Sequence, residues 1–282
     1  MQENAIRVTG LRVRYPAAAR DAVTGIDFTV SAGEVFGLLG PNGAGKSTTQ
    51  RVLTGQLRRY TGNVEVLGRP VAAWGRVLYE RIGVGFELPA YFPKLTAWEN
   101  LAAFAALYRR PTMQPLDALA IVGLAEAADQ RVATFSKGMK MRLNLARAVL
   151  HRPDVLFLDE PTSGLDPANA ADVRAVIRAQ ADAGCTVFLT THDMPAVEEL
   201  CTRVAFMHDG AIVAIDTPRN LRLAHGHRSV VVEFLDSGAL RRAEFPAADD
   251  PGLLALLASC EVQTVHTREA LLADVFIAVA TR

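Results

Sequence analysis

The N-terminal positions alternate between apolar and polar side chains, with the period of two that is typical of half-buried β-strands. This alternation extends over residues 6–15 and 23–36, and a Ser-Ala-Gly turn interrupts its second part. An apolar segment then leads into a glycine-rich loop that begins at Gly40, and residues 46–56 have the pattern of a helix. We therefore predict strands, a loop and a helix in this order.

The middle of the chain changes between helical and continuous apolar patterns. Helical periodicity, rich in alanine and leucine, extends over about 96–133 and is punctuated by Pro111 and Pro115. The continuous apolar runs at 155–158 and 185–190 are typical of buried parallel strands. Each of them is followed by a helical segment, at 168–183 and 194–200 respectively. Strands that alternate with helices in this way predict an α/β protein.

The pattern changes again near Gly226, and no lysine occurs from there to the end of the chain. A helix is predicted to begin at Thr217-Pro218, because threonine is a good cap and proline suits the first helical position. Further on we predict strand 228–235, strand 240–245, helix 251–259, strand 261–266 and helix 269–278. We expect a main domain over 1–224 and a small accessory α/β domain over 225–282.

Composition limits the classes of function. The 30 basic and 30 acidic residues cancel, so no excess of positive charge indicates a nucleic-acid partner. No apolar run approaches the roughly 20 residues that a membrane-spanning helix needs, and the start of the chain lacks the pattern of a signal peptide. Cys185, Cys201 and Cys260 form no Cys-x-x-Cys pair and are expected to be thiols in a reducing cytosol.

The glycine-rich loop fits the phosphate-binding loop pattern at every fixed position. Its small residues let backbone N–H groups turn inward and hold phosphate oxygens at a helix N-terminus. In this pattern the lysine binds the β- and γ-phosphates and the following hydroxyl binds Mg²⁺. The predicted nucleotide-binding residues of the loop are Gly40, Asn42, Gly43, Ala44, Gly45, Lys46, Ser47 and Thr48.

Two carboxylates, Asp159 and Glu160, close the apolar strand 155–158. Both are expected at the edge of the sheet where the phosphates lie. Such a pair alone is more often the solvated end of a strand. Its place after a phosphate-binding loop favours a role in nucleotide chemistry instead.

One helix ahead of that strand stands Phe135-Ser136-Lys137-Gly138-Met139, which resembles the signature motif of the ABC ATPases. Ser163-Gly164-Leu165-Asp166 resembles the D-loop of the same family, and Thr191-His192-Asp193 resembles the segment with its switch histidine. Together with the loop and the carboxylate pair, five motifs occur in the family's order. The resemblance covers residues 6 to about 224.

The resemblance implies the fold. An ABC ATPase has a P-loop NTPase core, which is a mixed sheet flanked by helices. To this core are added an antiparallel β subdomain and an α-helical signature subdomain, expected here at about 88–150. The small C-terminal α/β appendage completes the predicted architecture.

The resemblance also implies roles in the ATP site. Asp159 is expected to hold Mg²⁺ through water, as a Walker B aspartate does. Glu160 is expected to be the catalytic carboxylate that polarises the attacking water. His192 matches the histidine that contacts the γ-phosphate, so it is placed with Glu160 in the catalytic group. Tyr15 resembles the aromatic residue that stacks on adenine.

Three residues are assigned by the resemblance to the ATP of the other subunit in a head-to-tail homodimer. Ser136 and Gly138 are expected to contact the γ-phosphate across the interface, and Asp166 lies in the loop that crosses it. The family's usual signature is Leu-Ser-Gly-Gly-Gln, so the signature departs from it at Phe135, Lys137 and Met139. Lys137 and Met139 leave the contact possible and resemble a variant of exporter-type subunits.

A second departure concerns the metal. The family usually has a glutamine near residue 87 that binds Mg²⁺ and senses the membrane partner, whereas this chain has Glu87. A glutamate still offers an oxygen to the ion, so Glu87, Ser47 and Asp159 are the predicted metal ligands. We expect the added charge to weaken ATP binding or to make activity depend on the metal.

The resemblance implies an ATPase that powers export through separately encoded transmembrane permease subunits, with ATP and Mg²⁺ as cofactors. Such a homodimer is cytoplasmic and peripheral on the inner face of the cell membrane. Drug and polysaccharide exporters are the favoured group, and a drug exporter is the expected member. The alternative is a soluble ABC ATPase that acts on a macromolecular partner unrelated to transport.

Overall fold

The computed structural model describes residues 4–16, 18–86, 91–225, 229–236, 238–268 and 270–280. The chain divides into two compact units, Met1–Thr217 and Pro218–Arg282. This division lies before the boundary expected after residue 224. The physical reason is that the helix Pro218–His225 packs against the last helix of the second unit.

Along the chain of the first unit, strands come before and after a helical segment. Its strands are β1 (Asn4–Val13), β2 (Val23–Ser31), β3 (Val35–Leu39), β4 (Thr61–Val66), β5 (Arg69–Pro70), β6 (Ile82–Gly85), β7 (Val155–Asp159), β8 (Thr186–Thr191), β9 (Arg203–His208) and β10 (Ala211–Asp216). Its helices are α1 (Lys46–Leu53), α2 (Val71–Trp74), α3 (Ala97–Ala105), α4 (Pro115–Ile121), α5 (Lys137–Val149), α6 (Pro167–Asp182) and α7 (Met194–Leu200).

The central sheet has the strand order β10-β9-β3-β8-β7-β6. All neighbouring pairs are parallel except β9 and β10, which form an antiparallel hairpin. In the register, Leu39 of β3 is opposite Thr191 of β8, and Asp159 of β7 is opposite Thr190. The carboxyl ends of these three strands therefore meet at one edge of the sheet, which is where α/β proteins bind their ligands.

A second, antiparallel sheet has the order β2-β1-β4-β5, and it shares an apolar core with the central sheet. Phe28 of β2, Phe36 of β3 and Phe188 of β8 form a stack in this core, with ring centroids 5.5 to 6.0 Å apart. Phe157 of β7 packs on Phe188 at 5.7 Å. The stack joins the two sheets behind the carboxyl edge.

The helical segment predicted over 96–133 contains two helices, α3 and α4, and short 3-10 turns. Helix α3 begins with a capping box, in which Thr96 Oγ1 accepts from Glu99 N at 3.1 Å and Glu99 Oε2 accepts from Thr96 N at 2.8 Å. Helix α4 begins at Pro115, where the missing N–H costs nothing. The apolar periodicity alone did not reveal the break between the helices.

The second unit contains α8 (Pro218–His225), β11 (Ser229–Asp236), β12 (Ala239–Phe245), α9 (Pro251–Ser259), β13 (Glu261–Arg268) and α10 (Leu272–Ala280). Its three strands form an antiparallel sheet in the order β12-β11-β13. Val230 and Val232 of β11 pack against Leu253 of α9. The α/β class, with a mixed sheet, an antiparallel sheet and a small C-terminal unit, is confirmed.

Replacing Phe188 by alanine is expected to lower the free energy of unfolding of the first unit by about 3–5 kcal/mol, because the ring is fully buried in the stack. Urea denaturation followed by tryptophan fluorescence measures this unit, since Trp74 and Trp98 both belong to it. Leu107, which is 74% exposed, supplies the control: its alanine variant should stay within about 0.5 kcal/mol of the parent. Equal losses in both variants would contradict this account of the core.

Candidate nucleotide-binding site

The phosphate-binding loop connects β3 to α1, and two of its glycines, Gly40 and Gly45, have no space for a side chain. A Cβ at Gly40 would lie 2.1 Å from the carbonyl oxygen of Met207, and one at Gly45 would lie 2.4 Å from that of Ala22. Gly45 caps α1 with a φ of 108°, a left-handed conformation that favours glycine. The loop therefore keeps its backbone N–H groups close to whatever anion it binds.

Lys46 is the first residue of α1, and its side chain is buried. Its Nζ donates to the carbonyl oxygens of Gly40 at 2.7 Å and Pro41 at 3.3 Å. The same nitrogen lies 3.6 Å from Glu160 Oε1. A buried ammonium and a buried carboxylate thus face each other directly beneath the loop.

Glu160 follows β7 in a left-handed backbone conformation, with a φ of 48°. This conformation is unfavourable for a residue with a Cβ, by roughly 1–2 kcal/mol. The backbone N–H of Glu160 donates to Thr190 O at 3.0 Å, which holds the turn against β8. On its other side, Glu160 Oε2 lies 3.0 Å from His192 Nδ1. The carboxylate therefore stands between a lysine and a histidine.

Asp159 is held by two hydroxyl groups. Its Oδ1 accepts from Ser47 Oγ at 3.2 Å and from Thr190 Oγ1. Thr190 is fully buried, and the sequence analysis missed it. Thr190 lies opposite Asp159 on the neighbouring strand, and this position indicates its role. The position can be recognised only once the pairing of the two strands is known.

Tyr15 comes two residues after the end of β1, and its hydroxyl oxygen lies 3.2 Å from Thr48 Oγ1 of α1. The ring is partly exposed. Tyr15 is therefore attached to the same helix as Lys46 and Ser47.

Lys46, Glu160 and His192 lie around a cavity of about 250 Å³, whereas Tyr15 and Asp159 do not line it. The described residues that line it are Ala22, Pro41, Asn42, Gly43, Gly45, Lys46, Ser47, Thr48, Glu160, Ser163 and His192. A larger cavity of about 580 Å³ lies at the other end of the strands, beside Asp154 and Thr186, and contains none of the predicted site residues. Backbone N–H groups and a lysine suit a polyphosphate, so the smaller cavity is the candidate site.

The oxygens beside this cavity also fit a divalent metal ion. Mg²⁺ prefers oxygen ligands, and it usually takes a protein carboxylate or hydroxyl together with phosphate oxygens and water. Ser47 and Asp159 offer such oxygens in direct contact with each other. The predicted third ligand, Glu87, lies outside the described residues, which stop at Phe86 and resume at Tyr91.

The signature residues form a separate group. Ser136 caps α5 by accepting from Met139 N at 3.2 Å. A Cβ on Gly138 would come within 2.6 Å of the side chain of Asn169, so this glycine is in close contact with α6. In the described part of the chain, neither residue lines the cavity of the phosphate-binding loop.

Asp166 belongs to this second group, because it caps α6 beside the same asparagine. Its Oδ1 accepts from Asn169 N at 3.0 Å, and its Oδ2 accepts from Asn169 Nδ2 at 2.6 Å. These hydrogen bonds lower the pKa of the exposed Asp166 carboxyl. The structure therefore brings the predicted residues together in two places rather than one.

Among the described residues, no cluster of three or more histidine, cysteine or acidic residues could by itself hold a metal ion. No helix in the described ranges is long and apolar enough to cross a membrane. Cys185 and Cys201 are buried free thiols, and burial raises the pKa of each to about 12.

The chain was compared with known proteins. The family profile described as "ABC transporter" matches residues 23–163. A fluoroquinolones export ATP-binding protein of Mycobacterium tuberculosis is 53% identical over 281 residues, which cover 98% of this chain and 93% of the relative. A daunorubicin/doxorubicin resistance ATP-binding protein of Streptomyces peucetius is 36% identical over 244 residues, 85% of this chain and 73% of the relative.

Among solved structures, cbiO1 from Clostridium perfringens, part of the ABC transporter complex cbiONQ, aligns with a TM-score of 0.71 and 27% identity. The alignment covers 80% of this chain and 93% of that one. These matches agree with the motifs and with the two-sheet architecture. The chain therefore belongs to the ABC transporter family, as an ATP-binding ATPase domain whose relatives are exporter proteins.

Proposed function

We propose that this chain hydrolyses ATP to drive drug export through separate membrane subunits. The observation that carries the proposal is the contact of Lys46 and His192 with the two oxygens of Glu160 at the phosphate-binding loop. The relatives support the direction of transport, because their names refer to fluoroquinolone export and to daunorubicin/doxorubicin resistance. The first of them matches this chain over nearly its whole length.

Binding begins with an exchange of partners at Lys46. The ammonium now donates to the carbonyl oxygens of Gly40 and Pro41. The β- and γ-phosphates of ATP replace these neutral acceptors with charged ones, which make stronger hydrogen bonds. Tyr15, attached to α1 through Thr48, would offer its ring to the adenine for stacking.

Hydrolysis requires a base beside the γ-phosphate, and Glu160 has the right surroundings. As water attacks phosphorus, its proton passes to Glu160 and the bond between the γ-phosphorus and the oxygen of ADP breaks. Lys46 stabilises the negative charge that develops on the phosphate oxygens. His192 holds Glu160 Oε2 and thereby keeps the carboxylate directed at the water.

Ser47 and Asp159 would hold Mg²⁺ with the phosphates. The ion would supply positive charge to the β- and γ-phosphate oxygens. The carboxylate of Asp159 is already held in place by the two hydroxyl groups that donate hydrogen bonds to its Oδ1. Glu87 remains a proposed third ligand from the sequence.

The active form is proposed to be a head-to-tail homodimer. Ser136, Gly138 and Asp166 do not line the cavity of their own chain in the described structure, so they need a second copy to reach a nucleotide. The homodimer would then contain two composite sites, each with one phosphate-binding loop and the partner's signature segment. We place this dimer at the cytoplasmic face of the membrane, beneath permease subunits, and copurification with such a permease would test the assignment.

The second unit, Pro218–Arg282, is proposed to strengthen that homodimer. Its core is small, and units of this size are rarely stable without further packing. Helix α9 has no charged residue; Leu253 is buried, whereas Leu254 and Leu257 are 55% and 40% exposed. A helix that is apolar on several sides normally has a covering partner, and we take this partner to be the same unit of the second chain.

Changing Glu160 to glutamine should preserve ATP binding and reduce ATP turnover at least 100-fold, since the shape remains but the base is lost. The variant should accumulate as an ATP-bound dimer in size-exclusion chromatography. Changing Lys46 to alanine should instead remove nucleotide binding and the dimer with it. If the Glu160 variant hydrolysed ATP at the parental rate, Glu160 would not be the catalytic base.

Mixing two inactive variants tests the composite sites. Ser136→Arg should bind ATP as a monomer but not hydrolyse it, because its target phosphate belongs to the other chain. A heterodimer of Ser136→Arg with Lys46→Ala contains one site with both defects and one with neither. Partial recovery of ATPase activity in purified heterodimers is expected, and a complete lack of recovery would count against the head-to-tail arrangement.

Removing the second unit by truncation after Thr217 should leave ATP binding unchanged and weaken dimerisation. The Glu160→Gln background traps the dimer, so its dissociation constant can be measured by analytical ultracentrifugation. The double variant Leu254→Ser and Leu257→Ser should weaken the full-length dimer in the same direction. Unchanged dimerisation in both proteins would refute the proposed role.

A further inference from the structure

The side chain of Gln50 in α1 has an unusual environment. The residue is only 4% exposed, and its Oε1 atom accepts no hydrogen bond. Among the residues that the structure describes, it is the one buried side-chain oxygen without a donor. Burial strips an amide oxygen of its water, so an atom of this kind calls for an explanation such as a bound water or ion.

Gln50 lies next to the proposed metal ligands. It stands three positions after Ser47 in α1, and residues at this spacing share one face of a helix. Both side chains line a cavity of about 220 Å³, to which β7 contributes Asp159. The other described residues that line it are Arg51, Thr54, Gln56 and Phe86. A hydroxyl, an amide and a carboxylate therefore meet around one small space.

This combination suits a hydrated divalent cation. Mg²⁺ gives up its water reluctantly and usually keeps several water molecules when a protein binds it. A liquid water occupies about 30 Å³, so the cavity has room for several of them. The protons of metal-bound water need acceptors, which Asp159 and Gln50 possess. Arg51, the charged neighbour, can only donate, so it cannot replace them.

We propose that Gln50 is an additional group of the Mg²⁺ site, whose side-chain oxygen accepts a hydrogen bond from a water molecule on the ion held by Ser47 and Asp159. The last torsion of glutamine has a broad profile, so the amide can turn its oxygen toward the cavity at little cost. Gln50 acts through this water and is a positioning residue. The inference rests on the proposed function, because it requires Mg²⁺ with a nucleotide at this loop.

The variant Gln50→Leu separates this role from a merely structural one. If the oxygen had no partner in any state, its removal would leave metal binding unchanged. We expect the melting temperature of the nucleotide-free protein to be unchanged or higher, because a buried unpartnered oxygen is removed. We expect the apparent affinity for Mg²⁺ to fall about tenfold, the lower end of the effect typical of groups behind metal ligands.

The measurement is a titration of MgCl₂ into protein with a fluorescent N-methylanthraniloyl ADP, which avoids hydrolysis. Binding of this nucleotide in EDTA should be equal in parent and variant. Gln56 lines the same cavity from an exposed position after α1, so Gln56→Leu is the matched control and should keep the parental Mg²⁺ affinity. Gln50→Met, which has a flexible side chain of similar length, repeats the test if the leucine variant does not fold.

The outcomes distinguish the two proposals. A parental Mg²⁺ affinity in Gln50→Leu or Gln50→Met, with normal Mg²⁺ dependence in the parent, overturns the role of Gln50 alone. If nucleotide binding by the parent protein does not depend on Mg²⁺ at all, both the metal site of the proposed function and this inference are overturned. An equal loss of Mg²⁺ affinity in Gln56→Leu would also overturn the role of Gln50. The effect would then come from a change in the cavity as a whole and not from removal of the buried oxygen.

Discussion

Lys46 and Glu160 form the interaction on which the site depends. Both side chains are buried, and their charged atoms are 3.6 Å apart. Removing charges from water is costly, and their mutual attraction compensates for this only when hydrogen bonds satisfy the remaining atoms. Here two carbonyl oxygens of the loop complete the shell of Lys46, and His192 contacts the other oxygen of Glu160. The loop and the two strand ends are thereby held in one geometry.

The pair requires a particular strand order. Lys46 begins the helix after β3, Glu160 follows β7, and His192 follows β8. These strands are neighbours in the order β3-β8-β7 although helices separate them in sequence. Parallel pairing brings their carboxyl ends to one edge and sets the spacing of the strands, and the phenylalanine stack packs behind that edge. The chemistry of the edge is thus a consequence of the buried core.

Much of this arrangement could be predicted from the sequence. Continuous apolar runs such as 155–158 indicated buried parallel strands, and the glycine-rich loop and the carboxylate pair were predicted at the ends of strands, where the structure has them. The break between α3 and α4 was indicated only by Pro111 and Pro115, because alanine and leucine keep a helical period through a turn. Thr190 and Gln50 were missed because nothing in their local pattern is unusual. Each acquires its significance from a neighbour on another element, and a single sequence does not show which elements are neighbours.

The positions of the signature residues have a consequence for how ATP would be used. Ser136 accepts the hydrogen bond that caps α5, and Asp166 accepts the one that caps α6, so a helix end orients each of the two side chains. Gly138 is in close contact with Asn169, which also binds Asp166. The segment is therefore preorganised as one surface, distinct from the cavity that holds the phosphates. Because this surface is already ordered, it loses little conformational entropy when it binds a partner. In the proposed dimer, the γ-phosphate would supply the contact that joins it to a second chain, and hydrolysis would remove that contact.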